Sequence, residues 1–85
     1  MRDRFQRKLD EIFKTATAAR WPAVVVRSGD IDLMVRGDPD YVPNRMPVCC
    51  DVMEKNRRQR DKKVCAPPKG QGRNLYIRYL LPRGK

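Results

Sequence analysis

Arg73-Asn74-Leu75-Tyr76-Ile77-Arg78-Tyr79-Leu80-Leu81 is the stretch whose reading decides the fold. Leu75, Ile77, Tyr79 and Leu81 fall on one side of an extended chain, and Tyr76, Arg78 and Leu80 on the other. That two-residue period is the pattern of a strand with one buried face. Pro82 has no N–H to donate and ends the pairing. Immediately before this stretch, Pro67-Pro68-Lys69-Gly70-Gln71-Gly72 is a turn-rich tip, and Lys63-Val64-Cys65-Ala66 before it reads as a second strand. The two strands and their tip predict a β-hairpin over residues 62–81.

Upstream of the hairpin the period changes. Asn44 is positioned to cap a helix over about 45–60, with Pro47 tolerated in its first turn. Val48, Cys49, Val52 and Met53 form its apolar face, and Cys50, Asp51, Glu54, Arg57 and Arg58 lie opposite. Residues 37–44, with two prolines, a glycine and three Asp/Asn residues, are a loop. Ser28-Gly29-Asp30 offers an N-cap for a short helix over 28–36, in which Ile31, Met34 and Val35 would be buried and Gly37 would stop the chain. Ala23-Val24-Val25-Val26-Arg27 is a β-branched run and predicts a brief strand. At the start, Phe5, Leu9, Ile12, Ala16 and Ala19 recur at steps of three and four, with Phe13 widening the stripe, so residues 3–20 read as an amphipathic core helix. Asp3 and Gln6 have the spacing of a capping box. Pro22 stops this helix, with Trp21 packed beneath its end.

Size and charge bound what such a chain can do. With 85 residues, a single domain over 1–85 is expected, one that buries only about 60–65% of the surface its unfolded chain exposes. A hydrophobic content of 40% supplies a modest core and argues against wholesale disorder. No apolar run approaches the roughly 18 residues of a membrane span, and none has the character of a secretory h-region. The charge is unevenly placed. Residues 1–54 carry nine basic and nine acidic residues, whereas 55–85 carry eleven bases against one acid, Asp61. The whole net charge of +10 therefore belongs to the last third, the electrostatic footprint of a polyanion binder. A solvated basic face, an acidic protein or a membrane surface are the alternatives.

Helix, short strand, short helix, loop, helix, hairpin: this α+β order, over about 3–82, resembles a winged helix-turn-helix domain with three helices and a C-terminal β-hairpin wing. The stretch Asn44-Arg45-Met46-Pro47-Val48-Cys49-Cys50, with the 67–72 tip and Ile77-Arg78-Tyr79, is similar to small prokaryotic winged-helix proteins with no established activity. The resemblance implies that the 45–60 helix is a recognition helix entering the major groove, with 62–81 the wing along phosphates or the minor groove. The expected nucleic-acid contacts are Asn44, Arg45, Lys55, Arg57, Arg58, Arg60, Lys62, Lys63, Lys69, Gln71, Arg73 and Tyr76. Duplex DNA is the favoured partner. Asp51 and Glu54 stand on the face that would meet the groove. Pairing with Lys55 and Arg58 at i, i+4 explains them better than cytosine contacts, so backbone affinity with weak sequence reading is expected.

Sharper chemistry finds little support in the residues. Histidine, the commonest general base and metal ligand, is absent, and there is no Cys-x-x-Cys pair for zinc. Cys49 and Cys65 read as small buried hydrophobes, while Cys50 reads as the exposed thiol, with Arg57 near enough to activate it. An odd number of cysteines fits a reducing, cytoplasmic setting, nucleoid-associated for a DNA binder. The Gly70-x-Gly72 tip lacks the Gly-Lys-Ser/Thr ending of a phosphate loop and precedes a strand where that loop precedes a helix. Asp30, Asp32, Asp38 and Asp40 resemble the start of a calcium loop, but no bidentate Glu follows, and capping and turn chemistry account for them. No nucleophile–base pair can be named, so no catalysis, cofactor or metal is expected. Two other readings stay open: a protein-interaction module for an acidic partner, and an RNA binder that stacks bases on Tyr76 beside Arg78.

Overall fold

An apolar stripe on an isolated helix has to find a partner surface, and here it finds two helices and a sheet. The computed structural model describes residues 2–66 and 72–82, with α1 (Arg2–Ala18), β1 (Ala23–Arg27), α2 (Ser28–Val35), α3 (Met46–Asn56), β2 (Lys62–Cys65) and β3 (Tyr76–Leu80). The three strands form one antiparallel sheet in the order β1-β3-β2. The arrangement of these residues is α+β, and no helix among them is long and apolar enough to cross a membrane.

β3 is the centre of the sheet, and its alternation gives it one buried face. Ile77 and Tyr79 face inward and are fully buried; Arg78 faces outward and is exposed. The β1 register runs from Ala23 opposite Leu80 to Arg27 opposite Tyr76. The pairing extends beyond both strand ends, where Leu81 N donates to the Pro22 carbonyl and Ser28 N to the Leu75 carbonyl. β2 pairs through Lys62 opposite Arg78 and Lys63 opposite Ile77, then shifts register before Cys65.

The core gathers Phe5, Leu9 and Phe13 from α1, Ile31 and Val35 from α2, Cys49, Val52 and Met53 from α3, and Ile77 and Tyr79 from β3. Phe13 meets Tyr79 edge to face, with ring centroids 4.9 Å apart. The buried phenol of Tyr79 is satisfied by donating to the Met53 carbonyl at 2.8 Å, which ties the central strand to α3.

Several expectations are corrected. α3 ends at Asn56, not near residue 60. The Asn56 amide donates to the Val52 carbonyl and to Gln6, and Arg57 is already extended. Arg57, Arg58 and Arg60 therefore leave the helix. Asn44 does not cap α3: it sits in the left-handed region with φ 63°, and Arg45 occupies the cap position with no side-chain cap bond. Ser28 lies inside α2, which begins there, and is buried; its hydroxyl donates to the Gly72 carbonyl and accepts from Leu75 N. Gln6 engages Asp10 and Asn56 in place of a capping box.

Met34 is half exposed because the buried face of α2 is Ser28, Ile31, Asp32 and Val35, about a quarter turn away. Trp21 is 56% exposed. The chain turns sharply at the end of α1, and the indole is left on the rim of a shallow groove beside Ile12, Val24 and Met34.

Candidate nucleic-acid interface

α3 organises the candidate site because cations collect at both of its ends. At its C-terminal end, Lys55 stays on the helix and Arg57, Arg58 and Arg60 follow in the loop that leads into β2. That loop is closed from inside. Asp61 is buried, and its carboxylate accepts from Arg58 N and from Leu80 N, both at 2.8 Å. The one acid of the basic third thus serves as an internal acceptor for two main-chain donors, and the basic side chains around it face outward.

The acids on α3 are each shared by two cations. Asp51 pairs with Lys55 at 3.5 Å, as its spacing predicts, and also with Arg2 from α1. Glu54 does not take Arg58. It takes Arg57 at 3.0 Å and Lys63 from β2, because the helix ends before Arg58 can reach back along it. The Arg2 hydrogen bond, aided by Lys55, holds the Asp51 carboxyl below the ordinary range. Partial burial pushes Glu54 up, but bonds from Lys63 and Arg57 outweigh it and the net direction is down. Both acids stay ionised at neutral pH, and each is outnumbered two to one by cations.

At the N-terminal end of α3 lies a pocket lined by Arg36, Tyr41, Asn44, Arg45, Met46 and Arg73, with Asp32 at its base. Asp32 Oδ2 accepts from Arg36 Nη2 at 3.1 Å and from Arg73 Nη1 at 3.2 Å, while Oδ1 accepts from the Tyr41 hydroxyl at 3.0 Å. Desolvation pushes this carboxyl up, and the bonds from Tyr41, Arg36 and Arg73 more than offset it, so its pKa lies below the ordinary value. Arg73 also donates to the Gly29 carbonyl at 3.4 Å. Gly29 leaves little room here for a side chain. Its amide bonds to the Arg73 carbonyl, and a Cβ at this position would stand 3.0 Å from that same oxygen.

The expected contact residues therefore fall into three groups. Asn44, Arg45 and Arg73 come together at the start of α3. Lys55, Arg57, Arg58 and Lys63 gather at its end, with Arg60 exposed in the adjoining loop. Tyr76 and Lys62 are separate from both: they lie with Arg78 on the outer face of the sheet, which points away from the helices. Lys69 and Gln71 lie outside the described residues. The residues that sequence reasoning missed are Arg36, Tyr41 and Asp32; no local spacing links Asp32 to Arg73, 41 positions later.

The cysteines are also reassigned. Cys50 is 1% exposed, with its thiol donating to the Gly72 carbonyl at 3.3 Å, so the exposed, Arg57-activated thiol is not there. α3 is covered on two sides, by α1 and α2 and by the 72–75 segment, and the second side buries Cys50. Cys49 is buried as expected, its thiol pushed up to about 12, chiefly by desolvation. Cys65, expected to be buried, is exposed on the edge strand β2.

With this geometry established, comparison with protein-family models, with curated proteins and with solved structures finds no match for the chain.

Proposed function

We propose that this chain is a winged helix-turn-helix domain that binds nucleic acid, duplex DNA in preference to RNA, without catalysis. The observation that carries the reading is the distribution of cations about α3. Its 11 residues make it about 16 Å long, and the major groove is about 12 Å wide. A helix of that length laid across or into the groove brings its two cationic ends to the phosphate walls. Supporting the winged-helix assignment are the order α1-β1-α2-α3-β2-β3 and the pairing of β2 with β3. The shared acids Asp51 and Glu54 leave little on the exposed face of α3 to read base edges, so the binding is to backbone, with weak sequence preference.

Titration of a short generic duplex by fluorescence anisotropy across a salt series tests this. Neutralising about five phosphates gives a log–log slope of about −4.5. Arg45→Glu with Arg60→Glu reverses one exposed position near each end of α3, and neither makes an ion pair among the described residues. The double variant is expected to keep its melting temperature, to lose at least about tenfold in affinity and to flatten the slope to about −2.7. Unchanged affinity and slope sink the duplex reading. The RNA alternative retains one observation of its own, Tyr76 beside Arg78 and Lys62 on the outer sheet face. In that case Tyr76→Ala weakens single-strand binding more than duplex binding.

A further inference from the structure

The pocket at the start of α3 holds more positive charge than its single carboxylate balances. Arg36 and Arg73 both donate to one oxygen of Asp32, at 3.1 and 3.2 Å, so two guanidinium groups stand side by side over one negative charge. Arg45 lines the same pocket and makes no ion pair among the described residues. Three cations therefore face one anion. The anion is at the back: the Asp32 side chain is 4% exposed, against 49% for Arg36 and 41% for Arg73. A guanidinium has five N–H donors in a planar fork. Arg36 turns Nε and Nη2 to Asp32, and Arg73 uses Nη1 for Asp32 and Nη2 for Gly29 O. Donors on both side chains remain, and the open side of the pocket is where an acceptor can reach them.

We propose that this pocket is a phosphate site: Arg36, Arg45 and Arg73 together hold one phosphodiester group of a bound nucleic-acid strand, and Asp32, steadied by Tyr41, is the positioning residue that keeps two of the arginines aligned. The inference rests on the nucleic-acid reading and gives it a specific contact. The chemistry is suited to the ligand. A phosphodiester is an anion with several acceptor oxygens, and arginine pairs are the side chains that grip it with defined geometry. Repulsion between the two guanidinium groups, which one carboxylate only half relieves, falls further when a second anion arrives. Asp32 stays ionised throughout, so the arrangement is set before the ligand binds and little ordering remains to be done.

Asp32→Asn separates positioning from bulk charge. The substitution raises the net charge by one, so attraction alone predicts tighter duplex binding. Loss of the arginine alignment predicts weaker binding, by about threefold or more. Arg36→Gln is expected to weaken the duplex by about tenfold and to flatten the salt slope by about 0.9. Both are read by anisotropy, with melting temperatures checking the fold. Should Asp32→Asn fail to fold, Arg36→Lys carries the same question, because it keeps the charge and loses the fork; it is expected to bind about threefold more weakly.

Wild-type binding that Arg36→Gln leaves unaltered in affinity and slope overturns the phosphate site and leaves the duplex reading standing. Unchanged or tighter binding by Asp32→Asn overturns the positioning role. A parallel arm follows the arginine Nε–H resonances during addition of inorganic phosphate alone and of the duplex. Shifts at Arg36 and Arg73 with the duplex at concentrations where free phosphate gives none support a strand phosphate. Saturable shifts with phosphate and no duplex binding overturn both the duplex reading and the assignment of the ligand to a strand.

Discussion

Asp61 is the one acid among the residues that follow Glu54, and counting charges along the chain treats it as a small subtraction from the basic excess. Its place in the fold is different. It is 4% exposed and joins the end of α3 to the central strand by accepting from Arg58 N and Leu80 N. Replacing it with alanine removes the acceptor of two main-chain donors, and an unsatisfied buried donor costs more than a typical hydrogen bond contributes. The expected loss for Asp61→Ala is about 2–3 kcal/mol, with Asp61→Asn, which keeps one acceptor, near half of that. Urea denaturation decides it; a loss below about 0.5 kcal/mol would place the residue among ordinary surface positions. Nothing in the local sequence marks Asp61 for this role, because its second partner is nineteen residues away and the register that brings Leu80 to it is set by the sheet. Asp32 was hidden from sequence reasoning for the same reason. The inward set Leu75, Ile77 and Tyr79, by contrast, was legible, since alternation is a property of neighbours.

At the scale of elements, helix existence was legible and helix ends were not. Apolar recurrence located α1, α2 and α3, while the ends depend on single backbone and side-chain bonds. α1 shows this. Pro22 was expected to stop it, yet the stop comes earlier. Arg20 N donates to the Thr17 carbonyl and Trp21 N to the Ala16 carbonyl, with Arg20 at φ 64°. That is a Schellman motif, in which glycine normally takes the left-handed position. Here an arginine takes it, with a Cβ crowding its own carbonyl. Arg20→Gly is therefore expected to stabilise the domain by about 0.5–1 kcal/mol, after allowing for the greater freedom of glycine in the unfolded chain. Arg20→Ala removes the same charge, keeps the Cβ and should show no such gain. If the two variants melt together, the backbone account of this turn is wrong.

Over the whole molecule, the net charge and its concentration in the last third were legible from composition, whereas the routing of acids to bases was not. Asp51 and Glu54 reach across elements to Arg2 and Lys63, Asp32 reaches Arg73, and the pair Asp38 and Asp40 holds Arg4. Four of these carboxyl groups lie below their ordinary pKa. In Asp38 the amide of Asp40 is the largest cause; in Asp51 it is the bond from Arg2; in Asp32 the bonds from Tyr41, Arg36 and Arg73, and in Glu54 those from Lys63 and Arg57, overcome a burial that pushes the other way. A group whose folded pKa is lowered binds its proton more readily in the unfolded chain, so acid favours unfolding. The stabilising contribution is complete above the unfolded values, about 3.9 for Asp and 4.3 for Glu, and is lost as pH falls through the lower folded values. Protonation also removes negative charge from a molecule already at +10, so self-repulsion grows in the same direction. The melting temperature is therefore expected to be nearly level from neutral pH to about 5 and to fall steadily below about 4. Carboxyl carbon shifts followed by NMR should place the Asp32 midpoint below the ordinary aspartate value. A melting temperature that holds or rises between about pH 4 and 2.5 would show that these cross-element pairs contribute nothing to the fold.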